Sequence, residues 1–258
     1  MHVVTFTRST PDTAAKVDVG GNGSVTWGDA ATVVNPWDEY ALEEAIRQAE
    51  KGGGKSTVIA IGGEMHNEAL KHSLAMGISE AARVEDAGLD AADGLAYAAA
   101  AAAAIKKLGD VDLVIFGRES VDVGTDQHAY MTARKLGWTM LSYVSQILDI
   151  DYNAKTIKVQ KVLEEGKQVI TAKLPAVITV LKDINEPRYP SFIGIRKASK
   201  ATIPAWSLAD LGANTAGSKV SSAFKTLPAR EVKVEMIDGD PQQQAAALVD
   251  KLLEEKVL

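Results

Sequence analysis

The segment Gly117 to Gln127, GRESVDVGTDQ, brings together hydroxyls (Ser120, Thr125), carboxylates (Asp122, Asp126) and a glycine (Gly124). It follows the apolar run Leu113-Val114-Ile115-Phe116 and precedes the helical pattern from Gln127 to Gly137. In open α/β sheets, ligands bind in loops beyond the carboxyl ends of parallel strands. The N–H groups of the helix start, near Thr125 to His128, could hold a phosphate, with Gly124 admitting a close backbone approach. Asp122 and Asp126 would repel a bare anion. They would instead cap the helix or hold ribose hydroxyls or adenine.

Other constellations carry less. Gly52-Gly53-Gly54-Lys55-Ser56 resembles the end of a phosphate-binding P-loop, but position 49 is alanine and the segment follows a helix and precedes a strand, the reverse of the required order. Its simpler reading is a helix-terminating loop. Asn22-Gly23 reads as a turn. His2, His66, His72 and His128 lack a second ligand at metal spacing, with His66 and His72 expected on different faces of one helix. No serine sits in a nucleophile elbow and no pair of carboxylates stands out. The chain has no cysteine, which excludes disulfides, zinc fingers, iron–sulfur clusters and cysteine nucleophiles. No catalytic residues are assigned.

The elements that must position the loop follow a clear pattern. Strand-like runs at His2–Thr7, Ser56–Gly63, Glu80–Asp86 and Asp112–Gly117 alternate with helical patterns at 36–50, 66–77, 90–109 and 126–137. That alternation predicts βαβ units, and unbroken apolar runs such as VIAI and LVIF predict strands covered on both faces. The seven alanines from Ala98 to Ala104 predict a helix packed closely on the sheet. After about residue 140, four strand-like runs (TMLSYVSQILDID, KTIKVQKVL, KQVITAKL, AVITVLKD) predict an antiparallel extension. From Ile184 to about 228 the chain carries four prolines and little periodicity, as expected of an arm lying on another chain. Asp240 and Pro241 open a final amphipathic helix.

The fold expected is therefore α/β: a parallel nucleotide-binding sheet with helices on both faces, extended by antiparallel strands and a C-terminal arm plus helix. No clean two-domain break is visible. The division expected is residues 1–183 as the α/β domain and 184–258 as the irregular arm and final helix. With 258 residues, 46% hydrophobic, the chain can bury a large core. Its 28 basic against 34 acidic residues, net −6, argue against a nucleic-acid partner. No secretory signal is recognisable, and the apolar run Leu95–Ile105 is too short to span a bilayer. A cytoplasmic protein, not itself membrane-embedded, is expected.

Four stretches in register resemble the beta subunit of the electron transfer flavoproteins. They are Val34–Ala45 (VNPWDEYALEEA), the Gly117–Gln127 loop with the Ala133-Arg134-Lys135-Leu136-Gly137-Trp138 that follows, Val159–Thr179, and Ile184–Lys200 (INEPRYPSFIGIRKASK). The resemblance covers nearly the whole chain. It implies a heterodimer with an alpha subunit, which binds most of an FAD. Such a carrier takes electrons from flavin dehydrogenases, typically acyl-CoA dehydrogenases, and passes them to a quinone oxidoreductase. Some members bifurcate electrons instead and are then oxidoreductases in their own right. The beta subunit itself holds AMP or, in bifurcating members, a second FAD, which implies residues 1–183 as an adenine-nucleotide-binding α/β domain and 184–258 as partner-recognition loop, subunit-wrapping arm and C-terminal helix.

By position, the resemblance implies cofactor-binding roles for Phe6, Asn35, Trp37, Gly62, Asp122, Val123, Gly124, Thr125, Asp126, Gln127 and His128. Trp37 would approach the flavin, as would Thr13. Phe192, with Ile193 and Ile195, falls at the partner-binding tip of the recognition loop, flanked by Arg188, Arg196 and Lys197. The loop Asp122–His128 is intermediate: it shares the Asp, Thr and Gln spacing of bifurcating members but continues with His128-Ala129-Tyr130 where they carry Val-Gly-Pro. A stand-alone adenine-nucleotide-binding signalling module is the competing class. An enzyme acting on the nucleotide's phosphates would rest on His128 alone.

Overall fold

A computed structural model describes residues 1–21, 23–89, 93–213, 220, 224–225 and 234–257. Asn22, and most of the arm beyond residue 213 with Pro228, lie outside the described residues. The chain divides into a unit spanning Met1–Ala223 and a second spanning Phe224–Leu258.

The first unit opens with β1 (His2–Phe6), followed by β2 (Ser9–Pro11), β3 (Asp18–Val19), β4 (Val25–Thr26) and β5 (Thr32–Val34). Next come α1 (Pro36–Lys51), β6 (Lys55–Gly62), α2 (Asn67–Met76), β7 (Glu80–Glu85), α3 (Gly94–Leu108), β8 (Leu113–Gly117) and α4 (Gln127–Leu136). The chain then adds β9 (Thr139–Asp151), β10 (Thr156–Leu163), β11 (Gly166–Lys173), β12 (Ala176–Val180), α5 (Phe192–Ala198) and β13 (Ala205–Trp206). The second unit contains α6 (Pro241–Glu254).

Nine strands form one sheet in the order β11-β10-β9-β12-β8-β1-β6-β7-β13. Every pairing from β9 to β13 is parallel, and β10 pairs antiparallel with β9 and β11. Successive strand residues point to opposite faces, and both faces are covered. Val3, Val58, Leu113 and Ile178 pack in one core with Leu42, Ala45 and Ile46 of α1 and Leu70 of α2. Val4, Phe6, Ile59, Val114 and Phe116 pack in the other with Ala100, Ala101 and Ala104 of α3 and Ala129 and Ala133 of α4. The alanine run thus works by size, letting α3 lie close to the sheet.

The sheet grows from β1 through β6 to β7, then crosses back so that β8 lies on the other side of β1. The order reverses between β1 and β8, and a crevice opens beyond their carboxyl ends at such a point.

Two features differ from the expectation. The run AVITV does not continue the antiparallel meander: β12 returns between β8 and β9, parallel to both and buried along its whole length. The expected irregular arm is ordered where it begins. Residues 192–198 form α5 against α2, and Ala205–Trp206 adds the edge strand β13 beside β7. A helix of seven residues and a strand of two are too short to leave a periodic signal.

Candidate functional site

Asn35 organises the crevice. Its buried backbone N–H donates to the Arg8 carbonyl at 2.9 Å, and its carbonyl accepts from Asp38 N at 2.8 Å as α1 begins. Its side chain reaches the loop after β8: Nδ2 donates to the Glu119 carbonyl (2.9 Å) and Oδ1 accepts from Val121 N (3.1 Å). One amide thereby ties the exit of β1, the start of α1 and the Gly117–Gln127 loop together. Both ends of the Asn35 amide are engaged by protein, so its part in the crevice is to hold the walls.

The loop is a tight turn. Ser120 N donates to the Thr125 carbonyl (3.0 Å) and Gly124 N to the Ser120 carbonyl (2.8 Å), with Gly124 at φ +61°. That conformation suits glycine because no Cβ is there to clash. Ser120 Oγ donates to Asp122, whose other oxygen lies 3.1 Å from Arg8 Nη2. Val123 at the apex is exposed. Thr125 and Asp126 lead into α4, whose cap residue Asp126 makes no side-chain capping bond. Tyr143 Oη approaches Asp126 at 3.5 Å. In the first turn of α4, Ala129 N donates to the Asp126 carbonyl at 3.3 Å.

Aromatic rings line the same end of the sheet. Phe6 and Phe116 stack with centroids 4.7 Å apart and planes 4° from parallel. His128 stands edge-on to Phe116 (5.5 Å) and Tyr97 (5.1 Å). Burial, reinforced by the Arg8 guanidinium, pushes the His128 imidazole down to about 4, so it is neutral near pH 7. Burial likewise raises the Tyr97 phenol. Asp38 is buried at the first turn of α1, and burial pushes its carboxyl up to about 7 against the opposing pull of Asn35 and Arg8.

Gly117 makes this packing possible: a Cβ there would lie 2.5 Å from Asp38 Oδ1 and 2.7 Å from the Trp37 carbonyl. Trp37 is half-buried, with the Arg118 guanidinium 5.2 Å from its ring centroid. Gly62 ends β6, the neighbour of β1, and its carbonyl accepts from Arg83. Thr13 lies exposed after β2. Phe6, Asn35, Trp37, Gly62 and residues 122–128 therefore all belong to the carboxyl-end rim of the sheet.

The second group of expected residues lies on α5. Phe192 and Ile193 are 83% and 80% exposed, Ile195 is half-exposed and Tyr189 just before them is 94% exposed. Their base is fixed. Ser191 caps α5 through Gly194 N (2.9 Å), and Gly194 sits against the Ala75 carbonyl of α2, where a side chain would collide. Upstream, Arg188 does not flank the tip as a free cation. Its N, Nε and Nη2 donate to Glu43 at 3.2, 2.8 and 3.2 Å, and its Nη1 and Nη2 donate to Glu50 at 3.0 and 3.3 Å. Arg47 Nε adds a bond to Glu43 at 2.7 Å, and Asn185 Nδ2 bonds Glu44 Oε2 and the Tyr40 carbonyl, both at 3.0 Å. Despite burial, these partners hold the Glu43 carboxyl below its ordinary value.

Glu43, Glu44 and Arg8 are the residues that sequence reasoning missed. Glu43 and Glu44 are 2% and 4% exposed, although in the sequence no pair of carboxylates stands out. The signal available was the Glu43-Glu44 pair within α1 together with Arg188 between the two prolines Pro187 and Pro190. A cavity of about 570 Å³, lined by Val33, His72, Ala75, Pro190 and Ile195 among others, lies beneath the α5 tip and not at the β1/β8 crevice. Among the described residues, no group of three or more acidic or histidine side chains could hold a metal ion. No helix there is long and apolar enough to cross a membrane.

The fold and this rim define an α/β chain with a crevice at a topological switch point and a separately mounted apolar tip. Residues 27–211 match the electron transfer flavoprotein domain. The chain is 34% identical to Protein FixA of Azotobacter vinelandii, over 98% of this chain and 94% of that one. It is also 34% identical to the electron transfer flavoprotein subunit beta of Clostridium acetobutylicum, over 99% of each. Its identity to the caffeyl-CoA reductase-Etf complex subunit CarD of Acetobacterium woodii is 32%, over 100% of each. The chain belongs to the electron transfer flavoprotein family, among its beta subunits.

Proposed function

We propose that the chain is the non-catalytic half of an electron carrier. It pairs with an electron transfer flavoprotein alpha subunit, completes the site of a shared FAD, and mediates transfer from flavin dehydrogenases such as acyl-CoA dehydrogenases to a quinone oxidoreductase, in the cytoplasm. The β1/β8 crevice holds an adenine nucleotide, either AMP or the ADP half of a second FAD. Residues 1–183 serve the nucleotide and 184–258 the partners.

The observation that carries this reading is the mounting of Tyr189, Phe192 and Ile193, exposed yet anchored through Arg188 and Gly194 to two helices of the sheet domain. Large apolar side chains held rigidly in water suit docking into a partner's pocket, because little ordering entropy remains to be lost.

The crevice residues fit a nucleotide. His128 offers ring surface, half-buried over the Phe6–Phe116 stack, Arg8 Nε is buried with no partner, and α4 begins beside them. Trp37 with Arg118 forms the part of the rim fit to face a flavin. When bound, FAD supplies the redox chemistry. The chain's own residues bind and orient: Asn35 fixes the loop, Gly117 brings α1 against β8, and neutral His128 packs without adding charge. Helix α6 supports partner wrapping, since it has no buried residue and exposes Leu248, Val249 and Leu253.

The Asp122, Thr125 and Gln127 spacing supports the second-FAD alternative, which would make the complex a bifurcating oxidoreductase. The test is to co-purify the chain with its alpha subunit, denature the complex and identify the nucleotides released. One FAD and one AMP per heterodimer fits the simple carrier, and two FADs without AMP fits the bifurcating form. Absence of any flavin would sink both.

A further inference from the structure

Resting on the adenine-nucleotide reading above, we propose that Arg8 supplies the counter-charge for the nucleotide's phosphate, and that Asp122 holds the guanidinium in place until the phosphate displaces it.

A phosphate brought to the rim of a sheet needs positive charge and N–H donors beyond those of a helix start. His128 is the obvious candidate by position, but packing among Phe116 and Tyr97 keeps its ring neutral, so it brings no charge. Arg118 lies over the Trp37 ring and beside Glu119, and Arg83 is held by the Gly62 carbonyl and Glu85. Arg8 remains. It follows β1 by two residues, and its charge acts on Asp38, Tyr97 and His128 together, which places it centrally among the groups of the crevice.

Its bonding is incomplete. A guanidinium carries five N–H donors in a rigid fork suited to phosphate oxygens. Nη2 meets Asp122 Oδ2 at 3.1 Å, while Nε is buried without a partner. A buried donor left unmade is costly, and a ligand acceptor would satisfy it. Asp122 belongs to the turn of the loop and not to the sheet, held there by Ser120. It neutralises Arg8 in the free protein and competes with any phosphate for the same fork. Asp126 adds negative charge nearby, which makes the crevice a poor anion site unless Arg8 changes partner.

The experiment uses the heterodimer stripped of its nucleotide and titrated calorimetrically with AMP, ADP and adenosine. The wild type should bind AMP or ADP more tightly than adenosine. Arg8→Gln should lower the affinity for the phosphorylated ligands about 10- to 100-fold and leave adenosine unchanged, since charge-assisted bonds are lost and stacking is not. Asp122→Asn should bind the phosphorylated ligands several-fold more tightly.

An Arg8→Gln protein that keeps the wild-type preference for AMP or ADP over adenosine overturns the assignment. If that variant loses adenosine as well, Asp122→Asn decides, and weaker binding of AMP and ADP by it overturns the proposal. A wild-type complex that binds none of the three ligands overturns the nucleotide reading itself.

Discussion

Asp38 and His128 stand within one crevice and titrate in opposite senses. Between its ordinary value of 3.8 and about 7, folded Asp38 keeps a proton that the unfolded chain has released. Its contribution to stability is therefore fully present below pH 4 and lost as pH rises through 7, by roughly 4 kcal/mol at most. Folded His128 stays neutral down to about 4 where the unfolded ring is charged below 6.5. Its contribution is complete above 6.5 and lost as pH falls toward 4. Asp38→Asn should flatten the loss of stability between pH 4 and 7, and His128→Gln the loss between pH 6.5 and 4, both read by urea unfolding. Parallel pH profiles for variant and wild type would show the assignment wrong. The Gly117–Gln127 loop was legible through its place after an apolar strand, and the fold brings it to one rim with Phe6, Asn35, Trp37 and Gly62. Arg8 and Glu43 were not, because a charged residue in sequence reads as solvated until the chain that covers it is seen.

Gly117 and Glu43 each join two elements. Gly117→Ala would push a methyl group into Trp37 and Asp38, and overpacking of this kind costs about 1–3 kcal/mol. The chemical midpoint should fall accordingly, and the stripped complex should bind AMP less well because α1 can no longer close on β8. An unchanged midpoint would mean that α1 is not seated as described. Glu43→Gln removes the charge that holds Arg188 and Arg47. The expected loss is about 1–3 kcal/mol, with faster hydrogen exchange over residues 185–198. With an acyl-CoA dehydrogenase as donor, the KM for that partner should rise while kcat holds; a change in kcat alone would contradict a docking role. At this scale the sequence was most informative where apolar periodicity is strong, as in β6, β8, α1 and the alanine-rich α3. It was least informative where an element is short or pairs far away: α5 spans seven residues, and the placement of β12 depends on strands that no local pattern names.

The whole chain exposes more apolar surface than its large core requires. Tyr189, Phe192 and Ile193 stand out from the first unit, and Val234, Met236, Leu248, Val249 and Leu253 are exposed in the second. Expressed alone, the chain should aggregate or purify poorly, and co-expression with the alpha subunit should give a yellow heterodimer. A stable, colourless monomer indifferent to the alpha subunit would contradict the carrier reading. Class and layering at this scale were readable from the alternation of strand and helix. The boundary between the units was not, since residues 184–213 lack a hydrophobic rhythm yet close onto the sheet domain. Helix α1 has sixteen residues, a rod of about 24 Å, with Trp37 and Asp38 at one end and Glu50 near the other. Exchanging partner specificity between relatives by grafting residues 189–198 alone would strand the graft without its lock. The portable module is the segment together with the carboxylates of α1, and a chimera that carries both also imports one wall of the β1/β8 crevice.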